Sequence, residues 1–253
     1  MPAKLRLDRL LVDLDLAPSH QRAQALIQAG KVLVDEVPVT KAGSQVKAGA
    51  VVRVRVPDHP YVSRGGLKLA GALDAFELSV EGLVALDVGA STGGFTDCML
   101  QRDARHVIAV DVGYGQLAWS LRQDPRVTCI ERCNARRLTA EQVQRALKDP
   151  AAWPPVLATM DVSFISLTKV LPAVSLVLGP GRPVVALVKP QFEAGRADVG
   201  KGGVVRDPEA RERAINRVLD WAVAAGYEVR GRTDSPVAGP KGNVEALALL
   251  ITP

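Results

Sequence analysis

The stretch Asp87-Val88-Gly89-Ala90-Ser91-Thr92-Gly93-Gly94-Phe95 decides how this chain is read. It follows an apolar run at residues 83–88 and opens a helical pattern at 94–102. Glycine at a strand-to-helix turn lets the backbone bend sharply and lets a ligand come close to the main chain. The spacing is G-x-x-x-G-G. It departs from the G-x-G-x-x-G of dinucleotide-binding turns and lacks the lysine of a phosphate-cradling loop. An acid, Asp87, stands two residues ahead of Gly89, which suits a ligand with an amino group and no phosphate. S-adenosylmethionine fits that description. A second acid, Asp111, ends the next apolar run, 24 residues after Asp87; a carboxylate there can accept both hydroxyls of a ribose. The candidate cofactor contacts are therefore Asp87, Gly89, Ala90, Ser91, Gly93, Gly94, Phe95 and Asp111. Asn134, after the third run, is either an adenine contact or a plain surface residue. A glycine-rich turn with no ligand and a nicotinamide dehydrogenase are the competing readings of the same stretch.

Outward from this turn, apolar runs at 83–88, 106–110, 127–130, 156–160, 184–188, 227–229 and 246–251 read as strands. Helical stretches at 94–102, 116–123, 139–148, 166–177 and 207–225 separate the first six. Strands alternating with helices predict a mostly parallel sheet with right-handed crossovers. No helix lies between the last two runs, which predicts an antiparallel hairpin at one edge. The expected fold class is α/β: a Rossmann-like, seven-stranded methyltransferase domain over 64–253. Ser63 is placed to cap a helix running through Leu67 to Phe76.

Residues 1–58 have another texture. Leu7, Leu10, Leu11 and Leu14 recur at helical spacing, and Pro18 should end that helix. Ser19 is a good N-cap for a second helix carrying Ala23, Leu26 and Ile27 and stopping at Gly30. Residues 31–39 read as a strand and turn, and 51–56 as an alternating strand. Residues 1–60 hold nine Lys and Arg against six Asp and Glu, a net +3 out of +5 for the whole chain. The break Asp58-His59-Pro60 marks the boundary, with 59–63 as linker. A small α+β domain that carries most of the positive charge suits a polyanion. Within it Arg6, Arg9, Arg22 and Lys31 are the candidate phosphate contacts, their alternative being a solvated basic face.

Composition excludes several classes. No run of 18 apolar residues is present, so no transmembrane helix is expected. Met1-Pro2-Ala3-Lys4 begins no apolar signal segment, and a cytoplasmic protein is the expectation. Three cysteines, Cys98, Cys129 and Cys133, give neither a disulfide framework nor a structural zinc site, and no metal is expected.

Doubly wound sheets place ligands beyond the carboxyl ends of their strands. Asp161 ends the fourth run and Lys189 the fifth, so both should face the cleft. Glu245 begins the last run, and Lys68 lies on the helix before the first. Two lysines and two carboxylates suit removal of a proton from a ribose hydroxyl, a poor nucleophile. A neutral lysine amine can take that proton. A neighbouring ammonium and partial burial favour the neutral form, and carboxylates oppose it. The rest is alignment of oxygen with methyl carbon.

Five segments together, Ser63-Arg64-Gly65-Gly66-Leu67-Lys68-Leu69, Asp87 to Phe95, Asp161 to Ser166, Val188-Lys189-Pro190-Gln191-Phe192-Glu193 and Gly242-Asn243-Val244-Glu245, resemble the TlyA family in order and spacing. These are rRNA 2′-O-methyltransferases with an FtsJ-type catalytic domain, often labelled hemolysins, and the resemblance covers nearly the whole chain. It implies S-adenosylmethionine as cofactor and a catalytic tetrad on Lys68, Asp161, Lys189 and Glu245. It also implies an alpha-L RNA-binding module over 1–58 and cytidine ribose in ribosomal RNA, or in ribosomal subunits, as target. The basic loop at 191–206 reads as a substrate lid contacting phosphates, with Arg196 and Lys201, joined by Arg64, as further RNA contacts.

Three rivals stand beside this reading. Asp161-Val162-Ser163-Phe164 is faintly like the D-P-P-[FY] motif of amino-group methyltransferases, but both prolines are missing and Lys189 would have no role. An RNA-binding assembly factor without catalysis would tolerate loss of Lys189. A membrane-lysing protein rests only on the hemolysin label.

Overall fold

The computed structural model describes residues 4–14, 16, 17, 19–55, 59–239 and 241–253. Pro18, Val56 and Asp58, expected to end a helix, end a strand and begin the break, lie outside the described residues. The chain forms two compact units, residues 1–60 and 61–253.

In the first unit the order is β1 (Lys4–Arg6), α1 (Leu7–Asp13), α2 (His20–Gln28), β2 (Val32–Val34), β3 (Val37–Val39), β4 (Gln45–Lys47) and β5 (Val52–Val54). β1 pairs with β4, and β3-β2-β5 form a second antiparallel sheet. Leu7 and Leu11 on α1, and Ala23 and Ile27 on α2, are each four residues apart and so share a face; all four are fully buried. Ser19 caps α2, its hydroxyl accepting from the Arg22 N–H at 3.2 Å. β1 and β4 carry one apolar residue each, Leu5 and Val46, too little for a period of two to show in the sequence.

The second unit begins with α3 (Gly65–Ala75) and β6 (Val84–Val88), then α4 (Gly94–Gln101), β7 (His106–Val110), α5 (Trp119–Gln123), β8 (Val127–Ile130), α6 (Ala140–Ala146) and β9 (Leu157–Met160). It continues through α7 (Leu171–Leu178), β10 (Pro183–Val188), α8 (Pro190–Glu193), α9 (Pro208–Ala224), β11 (Glu228–Asp234) and β12 (Ala246–Ile251). The seven strands run β11-β12-β10-β9-β6-β7-β8, parallel except at β12, which is antiparallel to both neighbours. The expected hairpin is β11 and β12, with β11 at the edge. β6, β7, β9 and β12 are buried almost throughout, as strands covered by helices on both faces must be. Two apolar clusters, one on each side of the sheet, fill those layers.

Three expectations need correction. Ser63 does not cap α3; the N-cap is Arg64, with no side-chain bond, and the Ser63 hydroxyl packs beside Gly94 instead. β11 extends to Asp234, well past residue 229, through a register shift at Gly231 and the polar residues Arg230, Arg232 and Thr233, which mask a strand signal. The stretch at 191–206, read as a loop, begins in the short helix α8 and contains a helical turn at Arg196–Asp198.

Candidate active site

The carboxyl ends of the parallel strands define the site. The turn after β6 holds Gly89 at φ +86° and Gly93 at φ +99°, both in the left-handed region. A Cβ on Gly89 would lie 2.7 Å from the Asp161 carbonyl oxygen, and one on Gly93 would lie 2.3 Å from a Leu121 methyl. Only glycine lets the turn pass this close to the end of β9. Beside it opens a cavity of about 600 Å³, lined among others by Gly89, Ala90, Ser91, Thr92, Gly94 and Phe95. That volume is in the usual range for small-molecule sites.

All four expected catalytic side chains line this cavity. Val188 of β10 pairs with Ala246 of β12 because the strands are antiparallel, so the start of β12 lies beside the end of β10. That register brings Glu245 to the same rim as Lys189. Met160 pairs with Val88, which sets Asp161 next to the glycine turn. Lys68 reaches in from the first turns of α3. The side chains form two ion pairs: Lys68 Nζ to Glu245 Oε2 at 2.5 Å, and Lys189 Nζ to Asp161 Oδ1 at 2.5 Å. Lys189 Nζ also donates to Ser163 Oγ at 2.8 Å, and Gln191 Nε2 donates to Glu245 Oε1 at 3.4 Å. The first pair is the deeper, with Glu245 1% exposed; the second is more open, with Asp161 23% exposed. Buried ion pairs are poor stabilisers compared with apolar packing, so two of them in one cavity point to chemistry rather than to folding.

The other candidates distribute unevenly. The Asp111 carboxylate accepts from the Ser91 N–H at 2.8 Å and the Gly113 N–H at 2.7 Å, which fixes it at the edge of the glycine turn. Asp87 is not in the cavity wall. It is fully buried under the turn and accepts from the Thr96 hydroxyl at 2.6 Å and the Thr159 hydroxyl at 3.1 Å. Burial pushes its carboxyl up to about 7, with the two hydroxyls pulling the other way. Asn134 is exposed and caps a short helical turn, accepting from the Arg136 N–H at 3.1 Å; it does not line the cavity.

Of the basic candidates, Arg64 lines the cavity, while Arg196 and Lys201 are exposed on the loop beyond α8. In the first unit Arg9, Arg22 and Lys31 are exposed. Arg6 is engaged: it pairs with the buried Asp8 at 2.8 Å and holds that carboxyl well below its ordinary range.

Sequence reasoning passed over Ser163, Gln191 and Asn243. Asn243 is 3% exposed, accepts from the Val205 N–H at 2.9 Å and donates to the Gly203 carbonyl at 2.9 Å. It thus pins the basic loop beside Glu245. Phe164, at the cavity mouth with φ +64°, is 91% exposed and packs 5.2 Å from the Phe192 ring. Ser163, Gln191 and Asn243 lie inside the segments that carry the family resemblance, but their contacts show only in the fold. Among the described residues there is no cluster of three His, Cys, Asp or Glu placed for a metal, and no helix long and apolar enough to cross a membrane.

An ammonium-bearing nucleoside fits these residues. The glycine turn leaves main chain open at the wall where a Cβ would close it, Asp111 stands at its edge, and the cavity has the volume.

Comparison with known proteins agrees with this geometry. The FtsJ-like methyltransferase family matches residues 61–251, and the S4 domain family matches residues 5–52. The chain is 47% identical over 253 residues to the 16S/23S rRNA (cytidine-2′-O)-methyltransferase TlyA of Mycobacterium tuberculosis, covering 100% of this chain and 91% of that one. It is 42% identical over 247 residues to Hemolysin A of Brachyspira hyodysenteriae, covering 98% of this chain and 100% of that one. A solved, hemolysin-named structure from Streptococcus thermophilus is 43% identical, with a TM-score of 0.74, covering 100% of this chain and 89% of that chain.

Proposed function

Because the chain belongs to the TlyA family of FtsJ-like methyltransferases, with an S4 domain ahead of the catalytic one, we propose that it methylates the ribose 2′-oxygen of cytidine in ribosomal RNA. The observation that carries this reading is the meeting of Lys68, Asp161, Lys189 and Glu245 in one cavity beside the glycine turn. S-adenosylmethionine supplies an electrophilic methyl group and its own leaving group. The wall at Gly89, Ala90, Ser91, Gly94 and Phe95, with Asp111 at its edge, would hold it.

The protein's part is positioning and proton removal. Lys189, at the more open ion pair, first releases its ammonium proton to solvent; the neutral amine then takes the proton of the 2′-hydroxyl as that oxygen gains the methyl. Asp161 balances the charge Lys189 acquires. Lys68 and Glu245 form the inner wall against which the ribose is set, and Gln191 steadies Glu245. Phe164 offers a flat apolar face at the mouth for the target base, the usual way of holding an unpaired RNA base. The first unit, with Arg9, Arg22 and Lys31 exposed, grips the RNA backbone, and Arg64, Arg196 and Lys201 are the phosphate contacts of the catalytic unit. Work on ribosomal RNA or assembling subunits supports a cytoplasmic location as part of the same proposal.

The test is transfer of labelled methyl from S-adenosylmethionine to unmodified small and large ribosomal subunits, followed by nuclease digestion. Label on cytidine ribose is expected and would name the subunit. Label on a base would favour the rival amino-group reading centred on Asp161 and Phe164.

A further inference from the structure

We infer that Ser163 is a positioning residue that aims the Lys189 amine at the ribose oxygen; this rests on the methyl-transfer reading above. A lysine head group sits on four methylenes and turns freely unless held. Among the described residues two contacts hold Nζ of Lys189. Asp161 Oδ1 is 2.5 Å away but makes no aligned hydrogen bond, so it supplies charge and draws one N–H to its side without fixing its direction. The Ser163 hydroxyl accepts an aligned bond from Nζ at 2.8 Å. The serine is therefore the directional partner.

Its own place is set by the backbone. The Asp161 N–H donates to the Val88 carbonyl at 2.9 Å, which continues the β9 pairing to the rim of the sheet. Two residues after Val162, Phe164 takes φ +64°, a conformation that bulky residues seldom adopt and that turns the chain just past Ser163. Ser163 is thereby presented to the same cavity that Lys189, Lys68 and Glu245 line.

The chemistry explains why direction matters. A neutral amine has two N–H bonds and one lone pair at tetrahedral corners. With one N–H on Ser163 and the other facing Asp161, the lone pair is left for the cavity. In the transfer the ribose O–H bond breaks and its proton joins that lone pair, giving the ammonium. The oxygen forms its bond to the methyl carbon, and the electron pair of the broken C–S bond stays on sulfur. The ammonium keeps both earlier contacts. The role inferred for Ser163 is to act through Lys189.

The experiment compares wild type, Ser163→Ala and Ser163→Thr, all full length, in single-turnover methyl transfer to ribosomal subunits. Cofactor affinity is measured alongside by calorimetry. Ser163→Ala should lower the single-turnover rate about 10- to 100-fold, the scale of a misplaced reacting group. Cofactor Kd and KM for the subunit should stay within about twofold, since ground-state binding is untouched. Ser163→Thr, which keeps the hydroxyl, should restore most of the rate. A Ser163→Ala rate near wild type overturns the inference. So does a loss that tracks cofactor binding or that Thr fails to rescue, because the serine then acts through the fold or the ligand. A wild type that labels no ribosomal RNA is a different result: the methyl-transfer reading itself fails, and the inference falls with it.

Discussion

Lys68 and Glu245 are 177 positions apart in the chain and 2.5 Å apart in space, with side chains 9% and 1% exposed. Removing one partner of such a pair leaves a buried charge alone, at a cost of about 3–5 kcal/mol. We expect Lys68→Met to lower the unfolding free energy on that scale. The double substitution Lys68→Met with Glu245→Leu should recover most of it; urea denaturation of the full cycle checks this, and simple additivity would deny the coupling. Asp87 gives a second test. The unfolded carboxyl titrates near 4, whereas burial lifts the folded one to about 7. Between those values the folded chain holds a proton that the unfolded chain has released. The contribution to stability is therefore full below about pH 4 and is lost as pH rises through 7. Asp87→Asn, which cannot ionise, should compare better with wild type at pH 8 than at pH 5. The gain should approach about 1.4 kcal/mol for each pH unit between 5 and the folded pKa; thermal or urea unfolding at the two pH values reads it. Residues at this scale were legible where strand ends announce them. Asp161 and Lys189 follow directly from apolar runs, whereas Lys68 and Glu245 were candidates by position that the family resemblance raised above a surface reading. Asp87 was assigned to the ligand because its spacing suits one. Its hydrogen-bond partners in the structure, Thr96 and Thr159, are nine and 72 positions away, and only the second of those distances is beyond a local pattern.

Elements were easier to read than contacts. A continuous apolar run shows where a strand is covered on both faces, and a period of 3.6 where a helix is long and one-sided, which is why β6, β7, β10, α4 and α9 were all expected near their observed places. The misses have physical causes. β1 and β4 are three residues long, β11 is interrupted by its bulge and its arginines, and α8 starts at Pro190 directly after Lys189. The basic loop is the element with most at stake. Its fold depends on Asn243, whose two bonds reach back 38 and 40 positions to Val205 and Gly203. Asn243→Ala removes both and leaves two inward main-chain groups unpaired, a loss of about 1–3 kcal/mol each where water cannot replace the bond. Limited proteolysis between residues 196 and 206 should therefore speed up markedly while the sheet keeps its stability. Unchanged cleavage would mean that the loop holds itself.

For the whole molecule, the two units divide the work by charge and by cavity. The first carries +3 in under a quarter of the length, and the second carries the cavity. Replacing Arg9, Arg22 and Lys31 together by Ala should weaken ribosomal RNA binding and leave cofactor affinity as it was. The dependence of log affinity on log salt should flatten by roughly 0.7–0.9 per lost phosphate contact. A salt slope equal to wild type would assign those side chains to a solvated face. The central claim is narrower than RNA binding: that Lys189 takes the proton of a ribose hydroxyl. The most direct measurement is single-turnover methyl transfer to unmodified ribosomal subunits by wild type and Lys189→Ala, with cofactor binding measured on the same samples. Loss of a positioned base should reduce ribose labelling about 10²- to 10⁴-fold while the cofactor still binds. Ribose labelling that survives the substitution, with the same affinity for S-adenosylmethionine, would contradict it.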